Sequence, residues 1–204
     1  MVRIKGIEID RWSDDTYFPS EDTELLLDAL DSGEGSFIDV GTGTGIIGIR
    51  AAMLGYGVVS TDISTDCLHA ASHNARMNGV VIQTVRCDLL TALTGRHDVI
   101  AFNPPYLPDA GYPDRLLTGG EKGYELALCL LSQAEDMLRE NGRVMLVLSS
   151  LGGMSELLGT TGAAWSFRKL KQCKLEFETI AVVEARLTGR DRRAHSLFQK
   201  EGVS

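Results

Sequence analysis

Two stretches concentrate residues able to do chemistry: Asn103-Pro104-Pro105-Tyr106 and Asp39-x-Gly41-x-Gly43-x-Gly45. The first ends a short apolar run, Asp98-Val-Ile-Ala-Phe102. Consecutive prolines donate no backbone hydrogen bond and disfavour helical geometry in the residue before them, so the chain leaves the strand extended and stiff. It then presents an amide, a carbonyl and an aromatic ring at the strand's carboxyl end, where open α/β sheets hold ligands. Asn103 to Tyr106 is therefore the expected reaction site. The second stretch lies between a strand-like run and a periodic helix, where glycines let a turn tighten and a ligand approach the backbone. Its spacing differs from the G-x-G-x-x-G of dinucleotide binders, and no Gly-Lys-Ser/Thr of a phosphate loop follows. Asp39 would repel a pyrophosphate and suits a ligand carrying an ammonium group. The expected cofactor is S-adenosylmethionine, with NAD as the alternative.

Asp62 ends the next strand, 21 residues after Gly41, where a carboxylate can accept both ribose hydroxyls. Asp88 stands in the same relation to the third strand, placed to accept an exocyclic adenine amino group while Leu89 packs on the ring. Singly, each could be a turn or cap residue; together, at successive strand ends, they form a nucleoside cradle. Upstream, Tyr17-Phe-Pro-Ser-Glu-Asp-Thr23 precedes an apolar helix. Ser20 reads as its N-cap, with Glu21 and Asp22 complementing the dipole. Two carboxylates, a hydroxyl and aromatics exceed what a cap requires.

Short apolar strands at 36–40, 57–61, 84–87, 98–102 and 143–149 must position these groups. They alternate with helices at 46–54, 64–78 and 121–140, and a short one at 154–158. Residues 165–175 and 177–187 read as a closing antiparallel pair, and 2–10 as a small strand or hairpin. This order specifies an α/β fold: a seven-stranded, doubly wound, mostly parallel sheet with its last strand antiparallel. The long Pro- and Gly-containing loop 107–120, which includes Tyr112, is expected to be functional. A single domain is expected over 1–204. Residues 1–32 would cover cofactor and substrate, 33–150 form the core, and 151–204 supply the closing strands and a basic tail.

With 204 residues, 44% of them hydrophobic, the chain can bury one substantial core. No apolar run is long enough for a membrane span, and no signal-like stretch follows Met1. Cys67, Cys87, Cys129 and Cys173 are far apart, without C-x-x-C or nearby His, which argues against structural zinc and a disulfide framework. They read as buried thiols in a reducing cytoplasm. The net charge of -8 is uneven: residues 165–204 hold nine Lys/Arg against five Asp/Glu. Arg168, Lys169, Lys171, Lys174 and Arg190/Arg192/Arg193 read as a solvated strand face and tail, while the acidic remainder argues against nucleic acid.

Asp-x-Gly-Thr-Gly-Thr-Gly, the acidic strand ends and Asn103-Pro-Pro-Tyr106 resemble class I (Rossmann-like) S-adenosylmethionine-dependent methyltransferases acting on nitrogen. Tyr17-x-Pro-Ser-Glu-Asp-Thr23, the Leu-Leu-Leu-Asp-Ala-Leu helix and the Gly-Gly after Asn-Pro-Pro-Tyr-Leu-Pro sharpen the likeness. The set is similar to HemK-type enzymes, which methylate the Gly-Gly-Gln glutamine of peptide chain release factors. Lacking the extra N-terminal helical domain of the bacterial branch, the chain resembles the archaeal/eukaryotic branch; the match runs from about residue 17 to residue 150. The resemblance implies that Asp39, Gly41, Gly43, Gly45, Asp62, Asp88 and Leu89 bind the cofactor, with Thr23 near its methionyl end. Asn103 would contact both cofactor and substrate. The residue before the glycines is often Glu in this branch and is Asp39 here. The resemblance also implies a small zinc-binding activator on an apolar sheet edge. Val80, Val81 and Ile82 are candidates, core packing being the alternative.

A sulfonium methyl is already electrophilic and needs no metal. The acceptor amide is the difficulty, because its nitrogen lone pair is delocalised. The expectation is that Asn103 Oδ1 and the Pro104 carbonyl accept its two N–H bonds and aim the lone pair at the methyl. Tyr106 would pack on the flat amide, and Pro104 and Pro105 would fix the geometry beforehand. The competing readings are an adenine methyltransferase acting on a flipped base of DNA or RNA, a protein lysine methyltransferase, and a cofactor-binding scaffold without catalysis.

Overall fold

The computed structural model describes residues 1–11, 13, 16–109, 111, 114 and 116–189. Tyr112, the Arg190/Arg192/Arg193 cluster and the C-terminal tail lie outside the described residues. Strands β1 (Val2–Ile4) and β2 (Ile7–Ile9) make an antiparallel hairpin, followed by helix α1 (Glu21–Leu27). The main sheet is built from β3 (Ser36–Val40), β4 (Gly57–Asp62), β5 (Gln83–Arg86), β6 (His97–Phe102), β7 (Leu138–Ser149), β8 (Trp165–Lys174) and β9 (Thr179–Leu187). Helices α2 (Ile46–Met53), α3 (Thr65–Met77), α4 (Glu125–Ala134) and α5 (Met154–Thr161) separate them.

The sheet order is β5-β4-β3-β6-β7-β9-β8, parallel through β7, with β9 antiparallel to both its neighbours. The expected architecture is borne out. Side chains alternate across the strands, and each face buries its own core. Phe37, Val99, Ala101, Met145 and Val147 pack with α1, α2 and the hairpin. Ile38, Val40, Ile100, Phe102, Val144, Leu146 and Leu148 pack with α4 and α5. Both faces are covered, so β3 and β6 read as continuous apolar runs rather than alternating ones. The order reverses between β3 and β6, which places the switch point beside Gly41 and Asn103.

One element differs from expectation. The helix over 121–140 is only α4, and β7 begins at Leu138. At its start, Gly123 takes φ +89° against the Tyr106 backbone, which a continuing helix would displace. At its end, Leu138 is buried and pairs with His97, while Arg139 Nε donates to the Arg96 carbonyl. Asn141, at φ +66°, lies in a β-irregularity before the ladder resumes at Arg143, rather than closing a helix.

The hairpin is attached by side-chain amides. Asn74 Oδ1 accepts from Asp10 N and Arg11 N, and its Nδ2 donates to the Arg11 and Thr44 carbonyls. One turn later, Asn78 Oδ1 accepts from Glu8 N and its Nδ2 donates to the Glu8 carbonyl. Spaced i, i+4, the two asparagines put strand-like donors and acceptors on one face of α3.

Candidate active site

Four strand ends and the approach to α1 converge on a cavity of about 920 Å³. β3 supplies Gly41 to Thr44, β4 supplies Asp62, β5 supplies Cys87 to Leu89, and β6 supplies Asn103 to Tyr106. Tyr17, Pro19, Asp22 and Thr23 close it from the α1 side, and Glu178 reaches it from the turn between β8 and β9.

Two expected cofactor residues do not line the cavity. Asp39 is turned beneath the glycine turn, where its Oδ2 accepts from Thr42 Oγ1 at 2.6 Å and Gly48 N at 3.0 Å. Both of those donors belong to the turn and α2, so the carboxylate clamps the turn, and nothing in this placement adds to its expected partnership with a ligand's ammonium group. Gly45, at φ +88°, is a packing position: a Cβ there would lie 2.7 Å from Ala71 Cα on α3. Gly41 and Gly43 do line the cavity, at φ +60° and +51°.

Burial pushes the Asp39 carboxyl up to about 7, against the hydrogen bonds from Thr42 and Gly48, which lower it. The folded value exceeds the unfolded one, so the native state binds the proton more tightly. Stability from this group is full below about pH 4 and is lost as pH rises through about 7. Asp39→Asn is expected to flatten that slope in urea melts from pH 4 to 8. A slope unchanged in the variant would assign it to another group.

Asp62 Oδ2 accepts from Gly43 N at 3.0 Å and its Oδ1 from Ser64 N at 2.9 Å, so the carboxylate ties the glycine turn to the start of α3. Each oxygen keeps a further lone pair for a hydroxyl. Asp88 is exposed, and its carboxylate has no hydrogen-bond partner among the described residues. Leu89 is held at φ +48°, its carbonyl receiving Thr61 Oγ1 at 3.0 Å and Cys87 Sγ at 3.3 Å. A left-handed leucine costs of order 1–3 kcal/mol and persists only where its surroundings over-determine it. Turn, turn-bound carboxylate, free carboxylate and apolar platform together have the chemistry to hold an adenosyl group.

Asn103 Nδ2 donates to Thr23 Oγ1 at 3.2 Å, while its Oδ1 is buried with no hydrogen-bond partner. An orphaned buried carbonyl oxygen at a cavity wall demands an N–H or O–H from outside the chain. Burial and the Asp22 carboxylate raise both the Tyr17 and Tyr106 phenols far above their usual range, so both stay neutral. Three glycines press on the tetrad's backbone. A Cβ at Gly119 would lie 2.3 Å from the Pro105 carbonyl oxygen. At Gly123 and Gly152 it would lie 2.3 and 2.2 Å from that of Tyr106. Side chains are excluded there, and the tetrad is held by backbone on both sides.

Sequence reasoning read Asp22 as a helix-dipole partner in a turn more polar than a cap requires, without giving it a role of its own. It is 3% exposed, and it accepts from Tyr17 Oη at 3.1 Å and from Thr23 N and Oγ1. Ser20, the expected cap, makes no capping bond and instead hydrogen-bonds Glu21. Glu178, tied to Ser149 Oγ, was missed altogether. The carboxylates Asp22, Asp62, Asp88, Asp114 and Glu178 line the cavity, and among its described lining residues there is no Lys, Arg or His.

A family model described as the methyltransferase small domain matches residues 20–174. The chain belongs to this family. It is a methyltransferase that uses S-adenosylmethionine, and the resemblance to HemK-type release factor glutamine methyltransferases is borne out. A putative protein N5-glutamine methyltransferase of Methanocaldococcus jannaschii is 31% identical, over 91% of this chain and 98% of its own length. The release factor glutamine methyltransferase of Nitratidesulfovibrio vulgaris is 32% identical over 77% of this chain, which spans 61% of that protein. Among solved structures, a chain of the E. cuniculi Mtq2–Trm112 complex superposes with TM-score 0.69 at 28% identity. It covers 85% of this methyltransferase and 99% of its own chain, and the complex is described as responsible for methylation of the eRF1 translation termination factor. No helix among the described residues is long and apolar enough to cross a membrane.

Proposed function

We propose that this methyltransferase modifies the side-chain amide nitrogen of a glutamine, the Gly-Gly-Gln glutamine of a peptide chain release factor. The observation that carries this reading is the orphaned Asn103 Oδ1. Asp62 would hold the ribose hydroxyls, Asp88 the adenine amino group and Leu89 the ring, with the Gly41–Gly43 backbone against the methionyl part. Bound in this way, S-adenosylmethionine supplies an electrophilic methyl group. Asn103 Oδ1 and the Pro104 carbonyl accept the two N–H bonds of the target amide, which withdraws nitrogen's lone pair from resonance and orients it. Tyr106 covers the amide plane, and the neutral phenols exclude water without adding charge. The methylated nitrogen sheds its surplus proton to water.

A protein acceptor is favoured over a nucleobase by charge. A cavity lined by five carboxylates and no described cation repels phosphates. Phe177, 82% exposed, and the exposed Phe18 adjoin cavity-lining positions and suit a polypeptide. The relatives named above add the release factor as acceptor. The partner implied is a small activator subunit on the free edge of β5. Of the three expected patch residues, Val80 and Ile82 pack on the core, and Val81, 86% exposed, faces outward.

Radiolabelled methyl transfer is the test, comparing a purified class I release factor, its Gly-Gly-Gln→Gly-Gly-Ala variant and DNA. Label on the factor, lost in the variant, is the expected result. Label on DNA and not on the factor would replace this reading with adenine methylation.

A further inference from the structure

Thr23 Oγ1 stands between two hydrogen bonds of opposite sense. It donates to Asp22 Oδ1 at 3.1 Å and receives Asn103 Nδ2 at 3.2 Å. A hydroxyl has a single proton, and an ionised carboxylate only accepts. The Asp22 carboxylate also takes the Tyr17 hydroxyl on Oδ2 and Thr23 N on Oδ1, so every neighbour recorded on it is a donor. Thr23's proton is thereby committed to Asp22, and toward Asn103 the hydroxyl can only accept. The amide of Asn103 has two orientations of nearly the same shape, and only the one presenting Nδ2 to Thr23 satisfies this polarity. Oδ1 is then the end left buried and without a partner, on a residue that lines the cavity. We propose that Asp22 and Thr23 are positioning residues that fix which end of the Asn103 amide meets the acceptor nitrogen.

The inference rests on the reading that Asn103 receives an N–H. Were the amide reversed, its NH2 would oppose the acceptor's own N–H donors and the pair would repel. Both positioning residues are buried, at 3% and 4% exposure, so water does not supply the missing polarity. Capping is too small a role for Asp22, whose contacts extend to Tyr17 ahead of α1 and, through Thr23, to the end of β6.

The test uses the full chain. Asp22→Ala removes the acceptor that commits the Thr23 proton, which is then free to turn on Asn103 and reverse the amide. Thr23→Val removes the hydroxyl, and Thr23→Ser restores it. The expected result is a fall in kcat of about a hundredfold for Asp22→Ala and for Thr23→Val. Thr23→Ser should stay within about threefold of wild type, as should the S-adenosylmethionine Kd of each variant. Full activity in Thr23→Val, equal losses in Thr23→Ser and Thr23→Val, or a loss confined to cofactor affinity would each overturn the proposal. An atomic-resolution crystal structure of Asp22→Ala decides the point independently of activity: Asn103 Nδ2 turned from Thr23 supports it, and Nδ2 still on Thr23 overturns it. Failure of the wild-type chain to label a release factor would count against the proposed acceptor only, leaving the crystallographic result to judge the relay.

Discussion

Asn103→Ala is expected to lower kcat for methyl transfer by about a thousandfold, roughly 4 kcal/mol of transition-state stabilisation. The magnitude follows from the role. In the proposed role Asn103 Oδ1, buried and without a partner in the protein, meets the acceptor nitrogen where charge develops. Removing one such group elsewhere costs on the order of a hundredfold to a thousandfold. Here the loss lies at the upper end, because the truncation also removes the bond to Thr23 that fixes the strand end. Cofactor affinity should change by no more than about threefold, since the adenosyl-facing groups lie on β3, β4 and β5. Single-turnover transfer and calorimetric titration read the two quantities separately. Retention of a tenth or more of the wild-type rate would remove Asn103 from the reaction.

Gly152→Ala tests the same geometry from behind. The added Cβ would stand 2.2 Å from the Tyr106 carbonyl oxygen, 3.0 Å from Tyr106 Cβ and 3.1 Å from Tyr106 C. Backbone, not a flexible side-chain tip, has to move, by about 1 Å, and displacements of that size cost about a hundredfold in rate. Overpacking of this kind destabilises by about 1–3 kcal/mol, so the variant should remain folded at room temperature. Gly159→Ala is the control. It lies on α5 with nothing within 4 Å of its would-be Cβ, and helix propensity alone should stabilise it by up to about 1 kcal/mol. A Gly152→Ala enzyme with unchanged kcat would show that the tetrad tolerates displacement, and the rigidity argued from its prolines would fail.

These results bear on what the sequence could disclose. Gly41, Gly43, Asp62, Asp88 and Asn103 were legible because each sits at a strand end, and a parallel sheet brings strand ends together without further instruction. Asp39 carries the same local signature and still points away, since its orientation is decided by Gly48, a turn into α2. The partners of Asp22, and Glu178 as a site residue, were not legible because the elements carrying them meet only after folding. The boundary between α4 and β7 failed for a like reason. Residues 135–140 are good helix formers, but the pairing of Leu138 with His97 outweighs propensity. The Gly119-Gly120 doublet was visible, but the common target of the glycines at 119, 123 and 152, the backbone of Pro105 and Tyr106, was not.

The position of Glu178 has an evolutionary consequence. It lies on a turn beyond residue 174, where the shared family region ends; it lines the cavity, is tied to Ser149 at the end of β7 and is flanked by the solvent-facing Phe177. The donor-holding turn of β3 and the Asn103 tetrad lie wholly inside that region. Exchange of the short turn between β8 and β9 would alter the acceptor's surroundings while leaving every donor contact in place. On the proposed reading, what is methylated and how it is methylated are carried on separable pieces of this chain.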